Sequence, residues 1–197
     1  MSLLELRLSE FLEEVAGEGP TPGGGSLAAL VTAASAGLLA KVARASRGEW
    51  REAAGIAAQA ESLRDRAAPL AQVDADEYSA ALRSVDEAGG ESEDRRDFAV
   101  GRAYARAAEP PLRIVEVATD VAELAVVVAE KGNPSLHADA IVAAVLAAAA
   151  ARSAAELVAV NLTATDGDAR VARAHTLAGF AARAAEEASA GGRRPWE

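Results

Sequence analysis

Alanine fills 53 of the 197 positions. A chain so rich in the strongest helix former, with its larger apolar residues at helical rather than alternating spacing, is expected to be all-α. Aromatics make up 4 % and prolines number 7, which leaves too little for a many-turned β-sandwich with an aromatic core. The length suits one domain with a sizeable core, read as 1–190, with 191–197 as a short flexible tail.

Glycine and proline cut the chain into a bundle of about six helical segments. The first runs from Ser9 to Ala16 and the second from Leu27, capped by Ser26, to about Arg47. The third, Trp50 to Ala88, is kinked or divided at Pro69, and the fourth, Ser92 to Lys131, at Pro110-Pro111. A fifth, capped by Ser135, ends near Asn161, and a sixth spans about Asp166 to Ala190. Between Ala138 and Val160 the fifth carries only Asp139, Arg152 and Glu156 as charges, so it is expected to be buried nearly all round. One small bundle can scarcely cover that helix together with the small-residue helix from Leu27, and a homodimer is the simplest closure.

Acids outnumber bases 30 to 20, a net charge of -10. That balance argues against nucleic acid or an anionic membrane surface as partner. The uncharged run Ala140 to Ala151 falls short of the roughly 20 residues that a bilayer span needs. Glu5, Arg7, Glu10, Glu13 and Glu14 interrupt any signal-peptide core, and the chain is expected to be cytoplasmic. Cysteine is absent, which excludes disulfides and thiolate catalysis; with 2 histidines, His137 and His175, a metal site is not expected.

Three segments could carry chemistry. Thr21-Pro22-Gly23-Gly24-Gly25-Ser26 precedes the second helix: glycines at Gly23, Gly24 and Gly25 permit close backbone approach or positive φ, and a helix N-terminus favours an anionic or electron-rich group. Leu27 follows Ser26, so this is not a Walker loop; a sharp turn with a serine cap is the alternative. Gly132-Asn133-Pro134, with His137 and Asp139 close behind, offers a proton exchanger, an amide and a carboxylate. Residues two apart diverge by about 200° around a helix, so His137 and Asp139 share a site only if the helix begins between them. Capping at Asn133 or Ser135 is the alternative. Asp74 and Tyr78 lie on one helix face with Asp76 pointing elsewhere, either as a site or as part of a solvated acidic stripe. Lys41, Arg44 and Arg47 suit the negative end of the second helix. In a chain with 2 lysines, Lys41 and Lys131 stand out as possible ligand groups.

The segments F-L-E-E-V-A-G-E-G-P-T-P-G-G-G-S (Phe11 to Ser26), D-A-D-E-Y (Asp74 to Tyr78) and G-N-P-S-L-H-A-D (Gly132 to Asp139) occur in that order. The combination resembles the formiminotetrahydrofolate cyclodeaminase and methenyltetrahydrofolate cyclohydrolase family over nearly the whole chain. The resemblance implies an all-α dimer that forms or hydrolyses 5,10-methenyltetrahydrofolate, with a tetrahydrofolate derivative as substrate and no permanently bound cofactor. It implies Asp74 and Asp139 as catalytic carboxylates. Pro22, Gly23, Gly24, Gly25, Ser26, Lys41, Tyr78, Asn133 and His137 are implied as substrate-binding residues. Asn161 matches a late family asparagine but lies 22 residues beyond Asp139, about 33 Å along a helix, so it is expected to end the helix or reach a neighbouring site. The chain departs from the family pattern at Ser135 and Ala138 and lacks its lysine-rich turn after the second helix, where Lys41, Arg44 and Arg47 stand instead. A non-catalytic binding protein of the same fold, for a folate-like or other small anionic ligand, and a structural helical assembly factor are the rival readings.

Overall fold

The computed structural model describes residues 2–90, 92–163 and 167–191. Among these every regular element is helical: α1 Leu8–Ala16, α2 Gly24–Ala45, α3 Ala53–Ala67, α4 Leu70–Glu87, α5 Glu93–Ala107, α6 Glu109–Lys131, α7 His137–Asn161 and α8 Ala169–Ala190. Short 3₁₀ turns sit at Leu3–Glu5, Ala88–Gly90 and Pro134–Leu136. Two of the six expected segments are each two helices. Pro69 stands between α3 and α4, and Pro110 and Pro111 open α6, where a missing N–H costs nothing because first-turn donors have no intrahelical acceptor.

The core is built on α2, α6 and α7, with α3 and α8 packed outside them. Alanine makes this possible. Ala29, Ala36, Ala43, Ala118, Ala140, Ala144, Ala147 and Ala151 are all 0 % exposed, and side chains this small let helix axes approach near the lower end of the usual 8–10 Å spacing. Larger residues fill what remains: Leu39, Val42, Ile114, Val115, Val121 and Val158 are fully buried.

Three expectations change. Helix α2 begins at Gly24 with Gly23 as its cap residue, so Ser26 lies inside the first turn and is not the cap. Its hydroxyl instead donates to Ala71 O at 2.8 Å, tying the first turn of α2 to α4. Asn133, not Ser135, caps the turn before α7, its Oδ1 accepting from Ser135 N at 2.9 Å. Finally, α7 is not buried all round in one chain. Val142, Val145, Leu146 and Val160 are 47, 49, 41 and 63 % exposed, because α2, α6 and α8 cover the opposite side and none of the described residues covers this one. By length and composition alone Gly24–Ala45 and Pro134–Asn161 could cross a bilayer, longer stretches than the run at Ala140 suggests; here both pack into the core. Helix α8 starts at Ala169 behind the cap Asp168; the expected start at Asp166 and the tail 192–197 lie outside the described residues.

Candidate active site

Helix α4 lies across the N-terminus of α2, and that crossing brings Asp74 against the glycine loop. The Asp74 carboxylate accepts a hydrogen bond from the Ser26 backbone N–H and is 3.4 Å from Ser26 Oγ. Gly25 is where the two elements meet most closely: a Cβ there would lie 2.1 Å from Asp74 Oδ1 and 2.4 Å from Cγ. Only glycine leaves room. The requirement is proximity, not backbone conformation, since Gly167 is the one glycine with positive φ among the described residues. Thr21 Oγ1 meets Ser79 Oγ at 3.2 Å, fastening the loop to α4.

Beside this junction lies a cavity of about 490 Å³, a volume typical of small-molecule sites. Thr21, Gly23, Gly24, Gly25, Asp74 and Tyr78 form one wall. The opposite wall comes from α5 through Val100, Gly101 and Tyr104, and from the end of α7 through Leu157, Val160 and Asn161. Among the described residues Asp74 is the only charged one lining it. Burial pushes its carboxyl up to about 6, against the opposing pull of the Ser26 backbone N–H and hydroxyl. A group that exchanges its proton near neutral pH therefore faces a largely apolar chamber, held at the positive end of a helix.

The cavity gathers some of the residues singled out from the sequence and excludes others. Gly23, Gly24, Gly25, Asp74 and Tyr78 line it, while Pro22 and Ser26 are buried behind its wall. Lys41, Asn133, His137 and Asp139 lie at the far end of α2. The reason is the antiparallel run of α2 against α7: Gly24 sits beside Leu157, and Lys41 Nζ bonds Asp139 Oδ2 at 2.8 Å. Seventeen residues of helix separate Gly24 from Lys41, about 25 Å. Asp74 and Asp139, the two carboxylates expected to be catalytic, therefore lie at opposite ends of α2 within one chain.

The second motif instead builds the α6–α7 turn. Asn133 N donates to Ser46 Oγ at 2.8 Å, and a Cβ on Gly132 would meet Val128 O at 2.4 Å and Val42 Cγ1 at 3.2 Å. His137 Nδ1 lies 3.0 Å from Ala129 O; since a carbonyl can only accept, that nitrogen carries the proton, and Nε2 is buried without a partner among the described residues. His137 opens α7, so it and Asp139 are both helical and point apart. Asp139→Asn is expected to change unfolding free energy by less than about 1 kcal/mol in urea titrations, because Lys41 and Asp139 are 60 and 34 % exposed.

Sequence reasoning missed Tyr104 and the α5 wall. One signal was available: the chain has 2 tyrosines, and both face this cavity. Asn161 is the last residue of α7. It lines the same cavity and donates from Nδ2 to Ala107 O at 2.9 Å, tying α7 to the α5–α6 junction and placing it with Asp74, not with Asp139. Behind that junction Arg170 bridges Asp168, Glu109 and Ala105 O. The Arg170 guanidinium holds the half-buried Asp168 carboxyl down to about 2.

Residues 7–178 match the family described as Formiminotransferase-cyclodeaminase. The chain is 31 % identical over 167 residues to a methenyltetrahydrofolate cyclohydrolase of Methylorubrum extorquens, covering 81 % of this chain and 80 % of that protein. Its fold is similar to the crystal structure of formiminotetrahydrofolate cyclodeaminase from Thermotoga maritima, with a TM-score of 0.83 and 25 % identity over 97 % of this chain and 98 % of that one. The matched segment takes in the glycine loop, Asp74, the α5 wall and Asn161, and the chain belongs to the formiminotransferase-cyclodeaminase family.

Proposed function

We propose that the chain is an enzyme of folate one-carbon metabolism that hydrolyses 5,10-methenyltetrahydrofolate to a formyl derivative, with Asp74 as the catalytic carboxyl. One observation carries this reading: among the described residues Asp74 is the sole charged one lining an otherwise largely apolar cavity, with its carboxyl poised to titrate at about 6. A cationic methenyl carbon bound there faces an anion in a low-dielectric chamber, which favours the charged substrate. Water adds to that carbon and gives its proton to Asp74. The tetrahedral carbon then releases one nitrogen, which takes the proton back, and the formyl group remains on the other. The net change is one water consumed and one proton released to solvent. General acid–base help of this kind contributes roughly 10²–10⁴-fold when the pKa lies near the working pH. The likeness to a cyclohydrolase across four-fifths of both chains supports this direction.

A second reading is favoured by the structural likeness to a cyclodeaminase. There the same tetrahedral carbon forms by ring closure of a formimino group, and protonated Asp74 gives its proton to the departing ammonia. In both, Tyr78 and Tyr104 supply flat walls for a fused-ring head, and Thr21 and Asn161 supply hydrogen-bonding groups. The deciding measurement is the absorbance of the methenyl compound with purified protein. Decay faster than the uncatalysed rate supports hydrolysis, and a rise from the formimino compound supports deamination. Binding without either change turns the reading to a non-catalytic folate carrier.

The proposal includes a homodimer. Val142, Val145 and Leu146 are exposed together on one face of α7, and a contiguous exposed apolar patch of this kind marks a protein–protein contact. Light scattering at micromolar concentration is expected to give about twice the 20.0 kDa chain mass; a value near that mass rejects the dimer.

A further inference from the structure

Two consecutive prolines stand where α5 runs into α6. In an unbroken helix the N–H groups of residues 110 and 111 would bond the carbonyls of Arg106 and Ala107, and Pro110 and Pro111 have no N–H to give. The backbone therefore does not carry α5 into α6 as one rod. Ala107 O is satisfied from outside: Asn161 Nδ2, at the end of α7, donates to it at 2.9 Å. Two residues earlier Ala105 O accepts from Arg170 Nη1 of α8 at 3.1 Å. Side chains of α7 and α8 fasten the joint that proline leaves loose.

The rest of α5 is weakly held. Among the described residues Ala107 is the only buried one in this helix, and Glu93 to Phe98 are all exposed. Across the cavity α4 buries Leu70, Ala71, Asp74, Ala75 and Ala81. Val100, Gly101 and Tyr104 of α5 face the Asp74 cavity. Nearly half a turn round the helix, Phe98 and Arg102 face a second cavity of about 450 Å³, closed from α4 by Ser84 and Glu87, so α5 is undercut on both sides. The Arg106–Glu77 ion pair at 3.2 Å is exposed and sits beside the joint, where it adds little. A helix with so few buried apolar contacts opens before the core does.

We propose that α5 is a hinged wall of the Asp74 cavity, turning about the Pro110-Pro111 joint to admit and release ligand, and that Asn161 is the positioning residue that latches it closed. The ligand, a folate, rests on the reading above; the hinge and the latch do not. Opening carries Val100 and Tyr104 away from Asp74 and lets ligand and water in. Closing shuts bulk water out around the carboxyl, the condition in which its charge and its proton act most strongly. The latch stands where it responds to occupancy: Asn161 and Tyr104 both line the cavity, so a ligand seated between them holds α5 and the end of α7 together.

Hydrogen exchange read by mass spectrometry on the full chain at pH 7 tests this. Detached from its neighbours a helix of 15 residues is marginal in water, so each opening exposes its amides. Without ligand, the α5 amides are expected to exchange at least about a hundredfold faster than those in the middle of α6. N161A, and the near-isosteric N161D that has no proton to donate, are expected to speed α5 by a further factor of roughly three to ten while α2 and α6 keep wild-type rates. P111A returns a backbone N–H to Ala107 O, and in the N161A background it is expected to slow α5 again. An α5 as well protected as α6 overturns the hinge. Acceleration of α5 and α6 alike, as a merely structural Asn161 would give, overturns the latch, and so does no acceleration or no rescue by P111A. Saturating methenyltetrahydrofolate is expected to slow α5 exchange by at least about tenfold, and bound compound with α5 unchanged overturns closure on the ligand. A wild type that neither binds nor turns over this compound overturns the folate reading and the ligand assigned here, a result that the ligand-free exchange rates distinguish from failure of the hinge and latch.

Discussion

Asp74→Asn is expected to give a protein that folds more stably at neutral pH and turns over at least 10²–10³-fold more slowly. The two effects share one cause. Burial raises the Asp74 carboxyl from 3.8 to about 6 in the folded chain, so between those values the folded state holds a proton that the unfolded chain has released. A raised carboxyl stabilises the fold most below its unfolded pKa, and that contribution is lost as pH rises through the folded value. Two units correspond to about 3 kcal/mol. Asparagine keeps an acceptor for the Ser26 N–H and carries no charge. The difference in unfolding free energy between variant and wild type should therefore be near zero at about pH 4 and grow to about 2–3 kcal/mol above pH 6. Urea titrations of both proteins at a series of pH values read this directly. A difference that is flat in pH would mean that Asp74 titrates as an ordinary carboxyl. The same variant, saturated with methenyltetrahydrofolate, should retain binding while the absorbance change almost stops.

Gly25→Ala is expected to be the most damaging single methyl group that can be added to the loop. In an ordinary helix the change stabilises by about 1 kcal/mol. Here the new Cβ would stand 2.1 Å from Asp74 Oδ1, so α4 must move or the carboxylate must swing away from the Ser26 N–H. Overpacking of this kind typically costs 1–3 kcal/mol, which outweighs the propensity gain. Activity should fall nearly as far as in Asp74→Asn, because the carboxylate loses its place even though it remains in the chain. Gly24→Ala is the control. Its Cβ would be 3.9 Å from Leu157 Cδ1, an ordinary contact, and the variant should be at least as stable as wild type. Equal activity in all three proteins would remove Asp74 from the mechanism.

Helix content, the divisions at Pro69 and Pro110-Pro111, and the common face of Asp74 and Tyr78 were legible in the sequence, because each depends on neighbours within one or two helical turns. The glycine loop was legible as a place where backbone comes close to something. What it meets was not, since Asp74 lies 49 residues beyond Gly25 and only the crossing of α4 over α2 brings them together. The same limit separates the motifs. Asn133, His137 and Asp139 stand at the start of α7 as the glycines stand at the start of α2, and sequence order gives no sign that antiparallel packing sets those two starts at opposite ends of the molecule. The sequence by itself determined what each segment becomes and which side chains share its surface, through local steric and hydrogen-bonding preferences. Tertiary packing alone decided that Asp74, Tyr104 and Asn161, from α4, α5 and α7, enclose one cavity, and that one apolar face of α7 stays uncovered by the described residues, because these depend on how long helices slide and cross, which no local interaction sets.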